Sequence, residues 1–416
     1  ARVFRSWSAV TACLSLRGNV ALCEDRPRGP SEVHPTTKRP TPITSMHHLL
    51  DMAALPDELY SPDVPTEKWL DRVEKSTRFP DGALGKLSPV PLKAELERLV
   101  GVPLYLMLNW LPFLLPILSW TFGGWKGLAL LAAVLMLLSL KPVTTLLYNV
   151  LSRLPALCGV PTAQLYGPYS YTERNNQKYL SMRLVWGDGL NGLRERGKPL
   201  IFAIIPHGIA PLGITAYPAY SRLCGSALCR WTAAPVVMRL PLVGPMLRSI
   251  GYIDAKGKAI SSTLASGSSV GIVLDGIAGM FQNGGTESER AYVQQRKAIA
   301  AIALKAGCPI VPVYGFGHTA LWSVVTDPFG LLEKLSIALN VSVCPFYGRW
   351  GWPLGAPRRK AVLVAFGEPI DVGQATPEPT REQVAAVHAK LVEGYNAVFE
   401  EHKREYGWAE RKLEIV

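Results

Sequence analysis

Charged side chains are scarce, at 18% of the 416 residues against about a quarter in ordinary soluble domains. Because hydrophobic residues reach 48%, global disorder is excluded, and much of the chain must be screened from water by a core or by lipid. Acids are the scarcer sign. The 32 Asp and Glu against 44 Lys and Arg leave +12, which suits a polyanion or an anionic bilayer surface and not an acidic partner. The seven cysteines, Cys13, Cys23, Cys158, Cys224, Cys229, Cys308 and Cys344, are odd in number, scattered and without a CxxC pair. That excludes a zinc ribbon, argues against a disulfide scaffold and fits a reducing compartment or the cytosolic face of a membrane. No Walker loop, dinucleotide fingerprint or metal-ligand spacing is present, so neither a metal nor a resident cofactor is expected. The basic residues form no recognisable RNA-binding module, and nucleic acid is not expected as a partner.

Four regions follow one another along the chain. Residues 1–45 read as a disordered or targeting segment and linker. The first 23 carry Arg2, Arg5 and Arg17 with no acid, the composition of an organelle transit segment, and Pro, Arg and Thr dominate the remainder. Residues 46–101 read as a surface or amphipathic region, with short helices expected around Pro56–Leu70 and Leu92–Leu99. Residues 102–150 read as a hydrophobic membrane hairpin. Val102–Phe122 is 21 residues without a charge, and after Gly123-Gly124-Trp125-Lys126 a second uncharged run covers the 14 residues Gly127–Leu140. The first run is long enough to span a bilayer and the second is short for an upright span, so a hairpin entering one leaflet satisfies both. Pro112 and Pro116 would kink the first arm, and Trp110, Trp120 and Trp125 are aromatics suited to the headgroup layer. A helix pair buried in a soluble core is the alternative.

Residues 151–416 form the fourth region, in which apolar strand-like runs (PLIFAIIP, VGIVLDG, PIVPVYGFG, AVLVAFGEPI) alternate with stretches of helical period. This is the pattern of an α/β layered domain with a mainly parallel sheet flanked by helices. A final amphipathic helix is expected between Pro379 and Glu405, with Val384, Val387, Leu391, Tyr395 and Val398 on its buried face.

His207 is the histidine placed as a catalyst would be, directly after the strand LIFAIIP and ahead of a helix, at the carboxyl edge where α/β sites are built. Gly208 allows a tight turn and offers an N–H to developing negative charge on an attacked carbonyl. A capping histidine in a turn is the alternative. Gly267-Ser268-Ser269-Val270-Gly271 matches a nucleophile pattern, but a helical stretch precedes it and a strand follows, the reverse of what a nucleophile elbow requires. His318 follows the strand VPVYGFG and reads as pocket-lining or structural. His34, His47, His48, His388 and His402 lie in linker or surface-helix contexts and suggest no role.

Pro206-His207-Gly208, MRLPLVGPMLRSIGYI from Met238 to Ile253, Arg296-Lys297 before a helix, VPVYGFG from Val311 to Gly317, Gly348-Arg349-Trp350-Gly351 and Phe366-Gly367-Glu368-Pro369-Ile370 stand here in a telling order. In that order and approximate spacing the chain resembles the type 2 diacylglycerol acyltransferase family from Val102 to Trp408. The resemblance implies an integral membrane enzyme with a glycerolipid-acyltransferase-like fold. Such an enzyme moves a fatty acyl group from acyl-CoA, a co-substrate, to diacylglycerol at the endoplasmic reticulum or lipid droplet. A plastid membrane is the further location that the N-terminal composition suggests. The family motif is HPHG, and here Ile204 or Ile205 replaces its first histidine, leaving His207 at the second. Where many members carry GGxxE after the strand matching VGIVL, this chain has Asp275-Gly276-Ile277-Ala278-Gly279, with glycine at the acid's position. Asp275 is the nearest substitute, with a turn-capping role as the alternative, and Glu287 and Glu289 are weaker ones.

The chemistry that follows is base catalysis. A lipid hydroxyl is a poor nucleophile near neutral pH, so a neutral imidazole must take its proton as oxygen attacks the thioester. His207 is the expected base, Gly208 and Asp275 its expected catalytic neighbours. Pro206, Arg296, Lys297, His318 and Arg349 are expected at the substrate, with Arg290, Arg296, Lys297 and Arg349 either as cations for the CoA phosphates or as a solvated basic face against anionic headgroups. Other acceptors remain open, namely monoacylglycerol, a long-chain alcohol or a lysophospholipid, although the His-x4-Asp of lysophospholipid enzymes is absent. So does a catalytically weak lipid-binding role.

Overall fold

The protein is described from a computed structural model, in which the described residues are 46–90, 92–140, 142–143, 146, 169–196, 198–223, 229–240, 243–281, 287–325, 327, 329–339 and 342–416. The expected transit segment and linker (1–45) therefore lie outside the described residues. The strands are β1 (His47–Asp51), β2 (Glu74–Ser76), β3 (Arg183–Gly187), β4 (Ile201–Ile205), β5 (Arg230–Ala233), β6 (Ile253–Asp254), β7 (Val270–Val273), β8 (Ser288–Ala291), β9 (Ile310–Phe316), β10 (Ser323–Val324), β11 (Phe346–Tyr347), β12 (Leu363–Phe366) and β13 (Lys412–Ile415). Among the helices, α1 is Leu92–Ser139, α2 Tyr171–Tyr179, α3 Tyr217–Leu223, α4 Gly257–Ala265, α5 Gly276–Met280, α6 Ala298–Ala306, α7 Leu331–Leu339 and α8 Arg381–Tyr406.

Nine strands build the main sheet in the order β2-β1-β3-β12-β9-β4-β7-β5-β6. The pairs β3–β12, β9–β4, β4–β7, β7–β5 and β5–β6 are parallel, and β2–β1, β1–β3 and β12–β9 are antiparallel. The sheet is thus mainly parallel, as the continuous apolar runs require of strands covered on both faces. Side chains alternate between two cores. Phe202, Ile204, Val311, Val313, Val364 and Phe366 face α2 and α3, while Ile201, Ala203, Ile205, Ile310, Tyr314 and Leu363 face α4, α6 and α8. Each such side chain removed from water stabilises the fold by about 1.5–3 kcal/mol, which is why the central strands are the least negotiable part of the chain.

The last helix, α8, begins at a capping box in which Thr380 and Gln383 satisfy each other's main-chain N–H, and it ends at Gly407 in the left-handed region. Its buried stripe, Val387, Leu391, Tyr395 and Val398, is the one its periodicity predicts.

The segment 46–90 differs from a surface region. His47–Asp51 pairs antiparallel along β3, and Leu49, Leu50, Met52 and Trp69 are buried. His47, His48, His388 and His402, expected in linker or surface-helix settings, are buried as well. His47 bonds Glu401 (2.8 Å), His48 bonds Asp188 (2.6 Å), His402 bonds Glu405 (2.7 Å) and His388 meets the Gln294 carbonyl (3.0 Å). The sequence HHLLD has no strand propensity of its own, and pairing with β3 decides its conformation.

Helix α1 carries the apolar runs. It is interrupted at Gly124, whose φ of 55° and ψ of −143° are not helical. Beyond this break Gly127 abuts the Ser119 main-chain carbonyl so closely that any Cβ would collide with it. Eight residues apart in a straight helix, the two would be about 12 Å distant along the axis, so the chain turns back at Gly124. Leu115–Val134 is 20 residues long, apolar enough to cross a membrane by length and composition, and none of it is buried. Because the stretch contains Gly124, it is not one straight rod.

Candidate active site

The site arises from strand direction. Since β4 runs parallel to both β7 and β9, the carboxyl ends of these three strands lie side by side, and the residues that follow them are His207, Asp275 and His318. Three separated sequence motifs are thereby brought to one edge.

His207 is half-buried. Its Nδ1–H donates to the Gly208 carbonyl at 2.7 Å, which fixes the neutral tautomer and leaves Nε2 with its lone pair; among the described residues no hydrogen bond occupies that atom. Burial lowers the imidazole pKa below its ordinary value, and the bond to Gly208 opposes that shift. The ring is therefore neutral at physiological pH. Gly208 is held at a φ of 57°, and a Cβ there would lie 2.8 Å from the His318 carbonyl, so conformation and space both demand glycine. Its N–H has no acceptor among the described residues. The helix expected after this turn is a 3-10 segment, Leu212–Ala216, and the α-helix begins only at Tyr217, so the helix dipole behind His207 is slight.

Asp275 is fully buried, and its Oδ2 accepts the His207 main-chain N–H at 3.0 Å. Asp275, expected as a catalytic neighbour of His207, thus meets its main chain and not its ring. In the register that sets Ile204 beside Val273, the side chain two residues on reaches the backbone of residue 207 instead, while the ring turns to its own neighbour's carbonyl. Burial raises the Asp275 pKa to about 7, opposed by the His207 N–H bond and by the Arg296 charge. Its Oδ1 has no hydrogen-bond partner among the described residues. Gly279, which stands at the position where the family resemblance led to an expected acid, faces the same carboxylate, and a Cβ there would collide with Asp275.

His318 lies against the turn that carries His207. Its Nδ1–H donates to the Pro206 carbonyl at 3.0 Å, and its Nε2 accepts the Gly213 N–H at 2.9 Å. Burial, partly opposed by the Pro206 bond, pushes its pKa down to about 4. Both nitrogens are engaged by main chain on either side of His207, and the ring packs where Cβ atoms of Gly213 and Gly315 would otherwise sit. Glu289 braces the same turn, accepting the Thr319 hydroxyl at 2.8 Å and pairing with Arg411 at 2.6 Å; burial lifts its pKa to about 7. The structural reading of His318 agrees with this placement, whereas its partners Pro206 and Gly213 and the brace from Glu289 to Thr319 and Arg411 are not legible in the sequence. The available signal was glycine at 315 beside a strand-end histidine.

Of the expected substrate contacts, Pro206 joins His207 through the strand end, with a cis Ile205–Pro206 peptide. Arg296 reaches the site edge, its Nη2 lying 3.5 Å from the position a Cβ of Gly276 would take, and Lys297 next to it caps α6 and is exposed. Arg349 is elsewhere engaged: it pairs with Glu95 at 2.5 Å, contacts the Tyr179 hydroxyl at 3.4 Å and stacks on Trp350. Arg290 pairs with Glu414 at 2.9 Å. Phe366-Gly367-Glu368 falls at the opposite sheet edge, because β12 runs antiparallel to β9. Ser269 is buried, its Oγ accepting the Leu200 N–H at 3.0 Å, as its wrong-order motif anticipates for a structural serine. A cavity of about 550 Å³ lined by Lys198, Leu264, Lys305 and Gln374 opens near the amino end of β4, away from this chemistry.

Comparison with known proteins gives this geometry a setting. Residues 173–416 match the family described as diacylglycerol acyltransferase. The chain is 30% identical over 230 residues to 2-acylglycerol O-acyltransferase 1 of Bos taurus, covering 52% of this chain and 68% of that one. It is 27% identical over 265 residues to diacylglycerol O-acyltransferase 2-like protein 6 of the same species, 58% and 76% of the two chains. It is 24% identical over 223 residues to acyl-CoA wax alcohol acyltransferase 1 of Homo sapiens, 49% and 67% of the two. With the matching family spanning more than half of the sequence and enclosing His207, Asp275 and His318, the chain belongs to the diacylglycerol acyltransferase family of type 2.

Proposed function

We propose that the protein transfers a fatty acyl group from acyl-CoA to the free hydroxyl of diacylglycerol, forming triacylglycerol at the endoplasmic reticulum membrane or lipid droplet, with His207 as general base. The observation that supports this most is the free Nε2 of a neutral, half-buried imidazole whose other nitrogen is tied to the Gly208 carbonyl. Nε2 takes the acceptor hydroxyl proton as its oxygen forms a bond to the thioester carbon. The C–S bond then breaks, and the imidazolium returns the proton to the departing CoA thiolate. Gly208 N–H is the proposed donor to the oxygen that gains charge between these steps. Asp275 acts as a positioning residue through the His207 main chain. Arg296 and Lys297, at the same edge, are the proposed partners of the CoA phosphates. Neither a covalent enzyme intermediate nor a metal is needed for this balance. The apolar arms of α1, turning back at Gly124, are the proposed membrane-embedded hairpin that brings the site to a water-insoluble acceptor.

A second acceptor class has its own support, since the relatives named above include a 2-acylglycerol and a wax alcohol acyltransferase. Microsomes containing the wild type or His207→Ala, given labelled acyl-CoA and either diacylglycerol, monoacylglycerol or a long-chain alcohol, separate these readings. Triacylglycerol formed by the wild type and lost in the variant is the expected result. Preferential labelling of another acceptor moves the assignment to that acceptor, equal turnover by both proteins removes His207, and no ester with any acceptor leaves a lipid-binding protein.

A further inference from the structure

Outside α1, two groups of exposed large apolar side chains stand out, both distant in sequence from the apolar runs. Phe329, 76% exposed, leads into α7, which turns Leu331, Leu335 and Ile337 to the surface while Ser336 is buried beneath. The carboxylate of Asp327 holds the first turn of this helix, accepting the N–H groups of Leu331, Leu332 and Glu333. The loop after β11 presents Trp350 and Trp352, 61% and 52% exposed and 5.4 Å apart edge to face. Arg349 lies 4.5 Å over the Trp350 ring and Arg358 5.4 Å from the Tyr347 ring.

Exposed indoles, one of them under a guanidinium, suit the headgroup layer of a bilayer, where an amphipathic ring keeps its apolar body in lipid and its N–H in water. The charge agrees, for between Phe329 and Arg359 the chain has one acid, Glu333, against Lys334, Arg349, Arg358 and Arg359. Position agrees too. The Arg349 guanidinium is paired at 2.5 Å with Glu95, on the stem of α1 just before the apolar run begins, so the tryptophan loop sits where the hairpin would leave the lipid. Both elements also connect toward the edge that carries His207, the loop through β11, which pairs with β10 a few residues past His318. Trp322 Nε1 donates to the Gly355 carbonyl and the Arg358 N–H to the Leu321 carbonyl, a few residues past His318, while α7 packs on α5, the helix that follows Asp275.

We infer that α7 and the loop Phe346–Trp352 form a second, monotopic membrane contact, seated on an anionic bilayer surface, that fixes the catalytic edge against the lipid in which the acceptor is dissolved. This rests on the reading of α1 as a membrane hairpin. A peripheral helix with apolar residues and lysine or arginine binds anionic bilayers by apolar burial and electrostatic attraction together.

The test places the photoreactive amino acid benzoylphenylalanine, in the full-length chain, at Trp350, Trp352 or Leu335. Trp120 in the hairpin is the reference for lipid contact, and Lys390, exposed on α8, the reference for water. Each protein is reconstituted in vesicles of phosphatidylcholine with or without phosphatidylserine and irradiated. The exposed positions take the bulky analogue without repacking, and elution of each variant in detergent as the wild type does verifies its fold. Phospholipid adducts at Trp350, Trp352, Leu335 and Trp120 but not at Lys390, with the Trp350 yield falling when phosphatidylserine is omitted, are expected. Adducts at Trp120 alone overturn the inference and leave the hairpin standing. Adducts at Trp350 and Leu335 without Trp120 keep this surface and overturn the hairpin. Crosslinks from Trp350 to protein in place of lipid assign the face to a protein partner and overturn the inference.

Discussion

Removal of the His207 imidazole is expected to lower kcat by about 10²- to 10⁴-fold, the usual contribution of a general base. Labelled acyl transfer in microsomes measures it. Because burial holds this pKa below the ordinary histidine value of about 6.5, kcat/KM should rise with pH along an acid limb lying below 6.5 and stay level through neutrality. A limb centred above 7 would remove His207 from the role. For Asp275, asparagine keeps an oxygen to accept the His207 N–H and alanine does not. Asp275→Asn should therefore retain most of the turnover that Asp275→Ala loses. Its pKa, raised to about 7, means the folded protein holds a proton that the unfolded chain releases near 4. That stabilising contribution is complete below pH 4 and is lost as pH rises through 7, so Asp275→Asn should raise the melting temperature more at pH 8 than at pH 5. His318 works in the opposite direction. Folded, it stays neutral down to about pH 4, whereas the unfolded chain protonates near 6.5, so stability is full above 6.5 and falls by on the order of 3 kcal/mol toward pH 4. Urea unfolding of wild type and His318→Gln at pH 7 and pH 5 measures this, with the smaller acid loss expected for the variant.

Elements differ in how much of them can be read from the chain. The central strands and α8 are legible because burial on two faces demands unbroken apolar runs, and burial on one face demands a three-to-four spacing. β1 is not legible, since two histidines and an aspartate in five residues carry no local preference, and its place is dictated by β3 more than 130 residues later. At the site, His207 and Asp275 announce themselves at strand ends. The function of His318 depends on Pro206 and Gly213, over a hundred positions earlier, a relation that no local pattern encodes. The short helix α5 supplies a test at this scale. Gly279 has no room for a side chain beside the Asp275 carboxylate, so Gly279→Ala should cost about 1–3 kcal/mol of stability, the usual range for overpacking, measured by thermal or urea unfolding. If Asp275→Gly restores the loss in the double variant, the collision is the cause.

Across the whole molecule, sparse charge, a net +12 and an exposed apolar helical stretch long enough to cross a membrane are the features on which the proposed bilayer contact rests. The proposed hairpin should keep the full chain in the membrane fraction through alkaline carbonate extraction, and deletion of residues 102–140 should release it to the supernatant. Release of the intact chain by carbonate would leave α1 without a membrane role. Within the folded part, the residues at the proposed catalytic edge follow three strands, and their bonded partners are 68 and 112 positions apart. No stretch of the growing polypeptide shorter than this can hold a working centre, however well its helices form, because the parallel pairing of β4 with β7 and β9 is what creates the edge. Acyl transfer should accordingly vanish on heating in the same transition as the sheet's circular dichroism, with no partially active species preceding it.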